Sequence, residues 1–147
     1  TVALFNLLGF KTIMSCEGHL TPRHGEVSPW VDIDVKGKEG EERLRKLIRA
    51  YWQYNTTRNP NITGIWITDN FPSRRGFKRI RIQAGLEHFN SIKKEKPKMP
   101  MPVRRWFLSE GTREMAALTA YLWKRYLGEI KAVYTAPHGS RKGSPDA

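Results

Sequence analysis

The sequence predicts a single α+β domain, in which a mostly antiparallel sheet carries its helices on one face. Its 147 residues are 39% hydrophobic, which fits one core of ordinary size. Apolar residues recur with period two in some segments and with the helical period in others, and together they give the order α-β-β-α-β-β-α. We therefore expect two longer helices, one from Glu41 and one from near Ser109, to cover the sheet.

The spacing of apolar residues and one glycine predict the first elements of the fold. Val2–Leu8 has the composition of an opening helix, and Gly9 follows as its C-terminal stop. A short strand is expected over Phe10–Met14. Trp30–Val35 then alternates at period two, which predicts a strand with one apolar and one polar face. Because the first helix has no start signal before it, we expect native residues upstream of Thr1.

The middle of the chain predicts a helix and a pair of strands. Gly37–Gly40 is expected to form a turn, and the helix from Glu41 has apolar residues at i, i+3, i+4 and i+7. Two strand-like segments follow, Ile62–Thr68 and Phe77–Ile82, with a connection of hairpin length between them. These two strands are expected to pair antiparallel.

The last part of the chain is expected to hold a linker, a helix and a tail. Lys93–Pro102 is charged and rich in proline, so it should run extended. The final helix should begin near Ser109 and end near Gly128. We place the domain at residues 1–134 and a disordered basic tail at 135–147.

The charge balance indicates a polyanionic partner. Lys and Arg number 26 against 14 Asp and Glu, which gives a net charge of +12. One cysteine, Cys16, excludes an internal disulfide and suits a reducing cytoplasm. No apolar run approaches the length of a membrane span, so we expect no membrane partner. The sequence gives no oligomeric state.

The densest group of reactive side chains lies in Ser15-Cys16-Glu17-Gly18-His19, a turn at the end of the first strand. Cys16, Glu17 and His19 are candidate catalytic residues, because an imidazole can hold a thiol as its reactive thiolate. Gly18 lets the backbone fold back and expose its N–H groups. Packing is the alternative, with Cys16 as a small buried hydrophobe and Glu17 as an ordinary surface charge.

Two further interpretations of the same turn remain open. Cys16, His19 and His24 are ligand types that zinc accepts, and Asp32 or Asp34 could supply a fourth ligand. The turn could instead bind a substrate. The candidate substrate-binding residues are Ser15, Gly18, Asp32 and Asp34.

A second cluster combines cations with an aromatic ring on the last predicted strand. Arg79 and Arg81 should face away from the strand's isoleucines and share a face with Phe77. Cations around an exposed ring are typical of surfaces that bind single-stranded nucleic acid. The candidate nucleic-acid-binding residues are Arg74, Arg75, Phe77, Lys78, Arg79 and Arg81. The alternative is a solvated outer face of the sheet.

Residues around the turn also have the spacing of a known signature. They are Leu4-Phe5-Asn6, Thr12, Ser15-Cys16, Gly18, Leu20 and Trp30-Val31. The set resembles the methyltransferase family of tRNA wybutosine synthesis, in which Asn and Thr precede a Ser-Cys-Ser-Gly-Arg run and a later Trp. The resemblance spans about 30 residues, and Glu17 and His19 stand in place of the family's Ser and Arg. It implies S-adenosylmethionine as a cofactor.

The sequence therefore predicts a nucleic-acid-binding domain, with RNA as the favoured partner and RNA modification as one context. The alternative is a small-molecule or metal-dependent enzyme centred on the turn from Ser15 to His19. Either zinc or S-adenosylmethionine would fit that alternative.

Overall fold

The computed structural model describes residues 1–18, 28–57, 64–71, 76–85 and 100–135. The elements are α1 (Val2–Leu7), β1 (Lys11–Cys16), β2 (Trp30–Lys36), α2 (Gly37–Thr56), β3 (Ile65–Phe71), β4 (Phe77–Ala84) and α3 (Met101–Thr135). Their order and the α+β class confirm the prediction from the sequence. The candidates His19, His24, Arg74 and Arg75 lie outside the described residues, as do residues 93–99 of the predicted linker and residues 136–147 of the predicted tail.

The four strands form one antiparallel sheet in the order β1-β2-β4-β3. Register places Ile33 of β2 beside Ile80 of β4, and Val31 beside Ile82. These side chains belong to one buried cluster with Leu44 and Ile48 of α2 and Leu118 and Leu122 of α3. The helices therefore cover the face that carries the isoleucines, and the other face carries the charged residues of β2 and β4.

Gly9 ends α1 as predicted, through a Schellman arrangement. Its φ is +79°, which suits glycine. The N–H of Phe10 donates to the carbonyl of Phe5, and the N–H of Gly9 donates to that of Asn6. The Phe5 and Phe10 rings meet edge to face at 6.2 Å, so the apolar contact typical of this motif is also present.

Three predicted boundaries of the longer helices are wrong. Residues 37–40 form the first turn of α2 rather than a loop, because Gly37 takes a φ of +65° that turns the strand directly into the helix. The last helix ends at Thr135 rather than near Gly128, and it begins at Met101 rather than near Ser109. Pro102 is tolerated there because a helix leaves its first four N–H groups without helical partners.

Gly111 allows α3 to lie against the start of β2. A Cβ atom at this position would come within 2.8 Å of Pro29 Cδ and 3.5 Å of Ser28 Cβ. Gly128 lies on the same helix, and a Cβ there would meet no atom of the described residues within 4 Å. The two glycines thus share a helix but differ in what surrounds them.

We expect Gly111→Ala and Gly128→Ala to change stability in opposite directions. Gly128→Ala should raise the free energy of unfolding by about 0.5–1 kcal/mol, the usual gain from replacing a helical glycine. Gly111→Ala should lower it by about 1–3 kcal/mol, because the rigid Pro29 ring cannot move aside cheaply. Urea unfolding of both variants measures this, and a stabilising Gly111→Ala would contradict the close packing.

Glu114 is a carboxylic acid in the core. It lies on α3 and is 0% exposed, and among the described residues neither of its carboxyl oxygens has a hydrogen bond of good geometry. Burial raises the pKa of Glu114, while the backbone N–H of Gly64 and the charge of Arg113 act in the opposite direction. Burial also raises the pKa of the Tyr51 phenol, with a contribution from the Glu114 charge.

This burial predicts a loss of stability as the pH rises. Below the ordinary glutamate pKa of 4.5 the carboxyl is protonated in both folded and unfolded chains, so the fold keeps its full stability. Above 4.5 the unfolded chain releases the proton first, and stability falls until the pH passes the raised pKa of the folded state. Glu114→Gln should therefore be more stable than the wild type at pH 8 and lose this advantage at pH 4. Thermal unfolding at both pH values tests this, and a difference that does not depend on pH would contradict it.

Within the described ranges, none of the helices combines the length and the hydropathy that a membrane span requires.

Candidate functional site

The turn at Ser15–Gly18 opens onto a cavity of about 700 Å³. The cavity lies at one edge of the fold, where the end of β1 and the start of β2 meet the start of α1 and the first half of α3. Ser15, Cys16, Glu17 and Gly18 all line it. The described part of the reactive cluster is thus brought to one concave site, as substrate binding requires.

The turn has a defined local geometry. Gly18 has a φ of +91°, a conformation that residues with a side chain rarely adopt. Its backbone N–H donates to the Cys16 sulfur at 3.3 Å. The Cys16 side chain is half-buried and Glu17 is exposed, so the carboxylate stands at the rim of the cavity.

Trp30 forms part of the cavity wall beside Cys16, its ladder partner on β1. The residue is 9% exposed, and its buried indole nitrogen has no hydrogen-bond acceptor among the described residues. The Arg81 guanidinium carbon lies 3.8 Å from the centre of the indole ring.

The far wall of the cavity comes from α3, which the sequence analysis did not connect with the turn. Its residues are Leu108, Thr112, Met115, Ala116 and Thr119. The last four follow the spacing i, i+3, i+4, i+7, so they form one face of the helix. Small and polar residues at that spacing are the signal that could have identified this wall. Nothing in the sequence indicates that it meets β1.

Asp32 and Asp34 belong to a different surface, the sheet face away from the helices. The Arg81 guanidinium donates to both carboxylate oxygens of Asp32, at 2.7 and 3.0 Å. Arg79 donates to Asp34 at 3.0 Å. The described residues that line the cavity include neither aspartate.

Two cations of the predicted nucleic-acid-binding cluster, Arg79 and Arg81, are therefore neutralised within the fold. Asp32 and Asp34 are 2% and 5% exposed, and the arginines lie across them. Phe77 shares this face, with the Lys11 ammonium 6.0 Å from the centre of its ring. Paired arginines offer less free charge to phosphate groups than the sequence alone indicates.

Lys78 forms a second ion-pair network with α2 and β3. Its ammonium lies 2.7 Å from a Glu41 oxygen and 3.0 Å from an Asp69 oxygen, and Arg45 contacts the same two carboxylates. The hydrogen bond from Lys78 lowers the pKa of Glu41 and of Asp69. The network holds the start of α2 against the hairpin of β3 and β4.

The zinc interpretation has one of its three candidate ligands, Cys16, in the described part of the chain. No three His, Cys, Asp or Glu side chains of the described residues come together in a group that could hold a metal ion.

No protein-family model, curated protein or solved structure matches this chain.

Proposed function

We propose that this domain binds nucleic acid, with RNA as its partner. One observation carries the proposal: six of the ten described carboxylates have a cation partner inside the fold, while exposed cations of both longer helices have no carboxylate partner among the described residues. The described carboxylates that have a cation within 4.0 Å are Asp32, Asp34, Glu41, Asp69, Glu110 and Glu129. With a net charge of +12, the positive charge that remains needs counterions from outside the fold.

The cations without a carboxylate partner lie on the two longer helices. Among the described residues, no carboxylate lies within 4.0 Å of the exposed cations Lys46 and Arg49 on α2 or Lys124 on α3. Phosphate groups release condensed counterions when such cations neutralise them, which makes a helix layer of this charge a good surface for a nucleic acid.

The experiment is a titration of a fluorescein-labelled oligouridylate with the protein, followed by anisotropy between about 50 and 200 mM salt. We expect the logarithm of the association constant to fall linearly with the logarithm of salt, by about 0.7 for each phosphate contact. Polyglutamate serves as a control polyanion. Binding of polyglutamate as tight as that of RNA, or no binding of RNA at low salt, would contradict the proposal.

The cavity favours a second candidate function, the uptake of a small molecule at the Ser15–Gly18 turn. It is supported by the cavity volume of about 700 Å³, which lies in the usual range for ligand sites. The lining joins apolar side chains to the hydroxyls of Thr112 and Thr119 and to the Glu17 carboxylate. A ligand with an apolar body and few polar groups would suit it.

Ala116→Phe tests the second candidate. Ala116 is exposed on α3 and lines the cavity, so a phenyl ring there should occupy ligand space without disturbing the core. A thermal-shift screen of a small-molecule library should give wild-type ligands that Ala116→Phe no longer binds. Ligands that stabilise Ala116→Phe as strongly as the wild type would exclude this cavity as their site.

Glu17→Gln should change stability by at most about 0.5 kcal/mol, as for other exposed positions.

A further inference from the structure

A groove between α2 and the second half of α3 brings cations and aromatic rings together. One part of it is a cavity of about 470 Å³ lined by Tyr54, Tyr121, Lys124 and Arg125, among others. A neighbouring cavity of about 260 Å³ is lined in part by Arg43, Lys46 and Arg125. The two cavities share Tyr121, Arg125 and Glu129, so they form one continuous surface.

The groove arises because the core-facing side of α3 changes along the helix from large apolar residues to charged and small ones. Leu118 and Leu122 are fully buried in the core. The same helical face continues through Arg125, Glu129 and Ala132, which line the groove. After Leu122 the helix runs 13 more residues to Thr135, or about 20 Å at 1.5 Å per residue. The sequence thus places charged and small residues where large apolar residues would otherwise extend the core.

The groove carries a positive charge. Four cations line it, Arg43, Lys46, Lys124 and Arg125, against the single carboxylate of Glu129 among the described residues. Arg125 and Glu129 are 3.8 Å apart with both side chains more than half exposed, so this pair is weak. Arg43 is held in place by the Leu8 carbonyl and by the Phe10 ring, 4.8 Å from its guanidinium carbon.

Aromatic rings lie among these cations. The Tyr54 and Tyr121 rings are 5.2 Å apart, and the Lys124 ammonium is 5.4 Å from the centre of the Tyr54 ring. Rings between cations suit unpaired bases, which can stack on them, better than a duplex, whose bases are already stacked. From Arg43 to Tyr54, α2 spans about 16 Å, room for about four or five phosphates of a stacked strand.

We propose that this groove is the site where the domain binds a single-stranded nucleic acid. The phosphates lie against Lys46, Lys124 and Arg125, and bases stack on the tyrosine rings. This inference rests on the proposed function and gives it a site that differs from the paired arginines of β4.

The test compares two double variants that remove the same charge from the same two helices. Lys46→Gln with Lys124→Gln removes two cations of the groove. Lys38→Gln with Arg105→Gln removes two exposed cations of α2 and α3 that do not line it. Binding of labelled oligouridylate is measured by anisotropy over a salt series. The groove variant should reduce the salt slope by about 1.4, at about 0.7 per lost phosphate contact, and the control variant should keep the wild-type slope.

A ring variant separates stacking from charge. Tyr54→Leu should weaken binding about tenfold at constant salt, whereas Tyr54→Phe, which keeps the ring, should bind like the wild type. Equal slopes in the two double variants, with the wild type still binding RNA, would overturn the groove and leave the proposed function standing. A wild type that binds no oligouridylate at low salt would overturn both.

Discussion

Arg81→Met is expected to lower the free energy of unfolding by about 3–5 kcal/mol. Asp32 is only 2% exposed, and both of its carboxylate oxygens accept hydrogen bonds from the Arg81 guanidinium. Removing the arginine leaves a buried negative charge without its partner, which costs far more than a lost surface contact. The variant also removes the cation stacked on the Trp30 ring. Guanidinium chloride unfolding measures the loss.

Two controls show whether burial causes this effect. Arg113 pairs with Glu110 on α3 but is 58% exposed, so Arg113→Met should cost at most about 1 kcal/mol. The double variant Asp32→Leu with Arg81→Met removes both buried charges and should recover most of the stability. If Arg81→Met cost no more than Arg113→Met, the buried pair would not stabilise the sheet as described.

Phe5→Ala is expected to cost about 3–5 kcal/mol, because it empties a ring-sized space under α1. Phe5 is 0% exposed and packs edge to face on Phe10. Leu7, on the same helix, is 53% exposed, so Leu7→Ala should change stability by no more than about 0.5 kcal/mol. Because Val2 and Ala3 of α1 line the cavity, Phe5→Ala should also loosen that wall. Urea unfolding compares the two variants, and similar losses would mean that Phe5 does not anchor α1.

The fold class and the order of elements were predictable because each signal is local. The alternation of Trp30–Val35 and the spacing of Leu44, Leu47, Ile48 and Tyr51 are visible in short stretches of the chain. The start of α3 at Met101 was missed because prolines indicate an extended chain, although the first helical turn accepts them. The earlier start puts Arg104 and Phe107 on the buried face and leaves Trp106 48% exposed.

The candidate sites were harder to predict, because charge pairing and cavity walls depend on which strands are neighbours. The sequence shows that Arg79 and Arg81 alternate with isoleucines, but it does not show that β2 lies beside β4 with Asp34 and Asp32 in register. The α3 wall of the cavity and the α2–α3 groove likewise join residues that are far apart in the chain. The reactive turn at Ser15–Gly18 was found from the sequence because its residues are consecutive.

The most direct test of nucleic-acid binding through the helix layer is a ¹H–¹⁵N correlation titration of the protein with oligouridylate. The account predicts that the largest amide shift changes lie at Lys46, Tyr54, Tyr121 and Lys124, on the two sides of the groove. Shift changes confined to β2 and β4, or to the Ser15–Gly18 turn, would contradict it. The absence of any shift changes at low salt would contradict it as well.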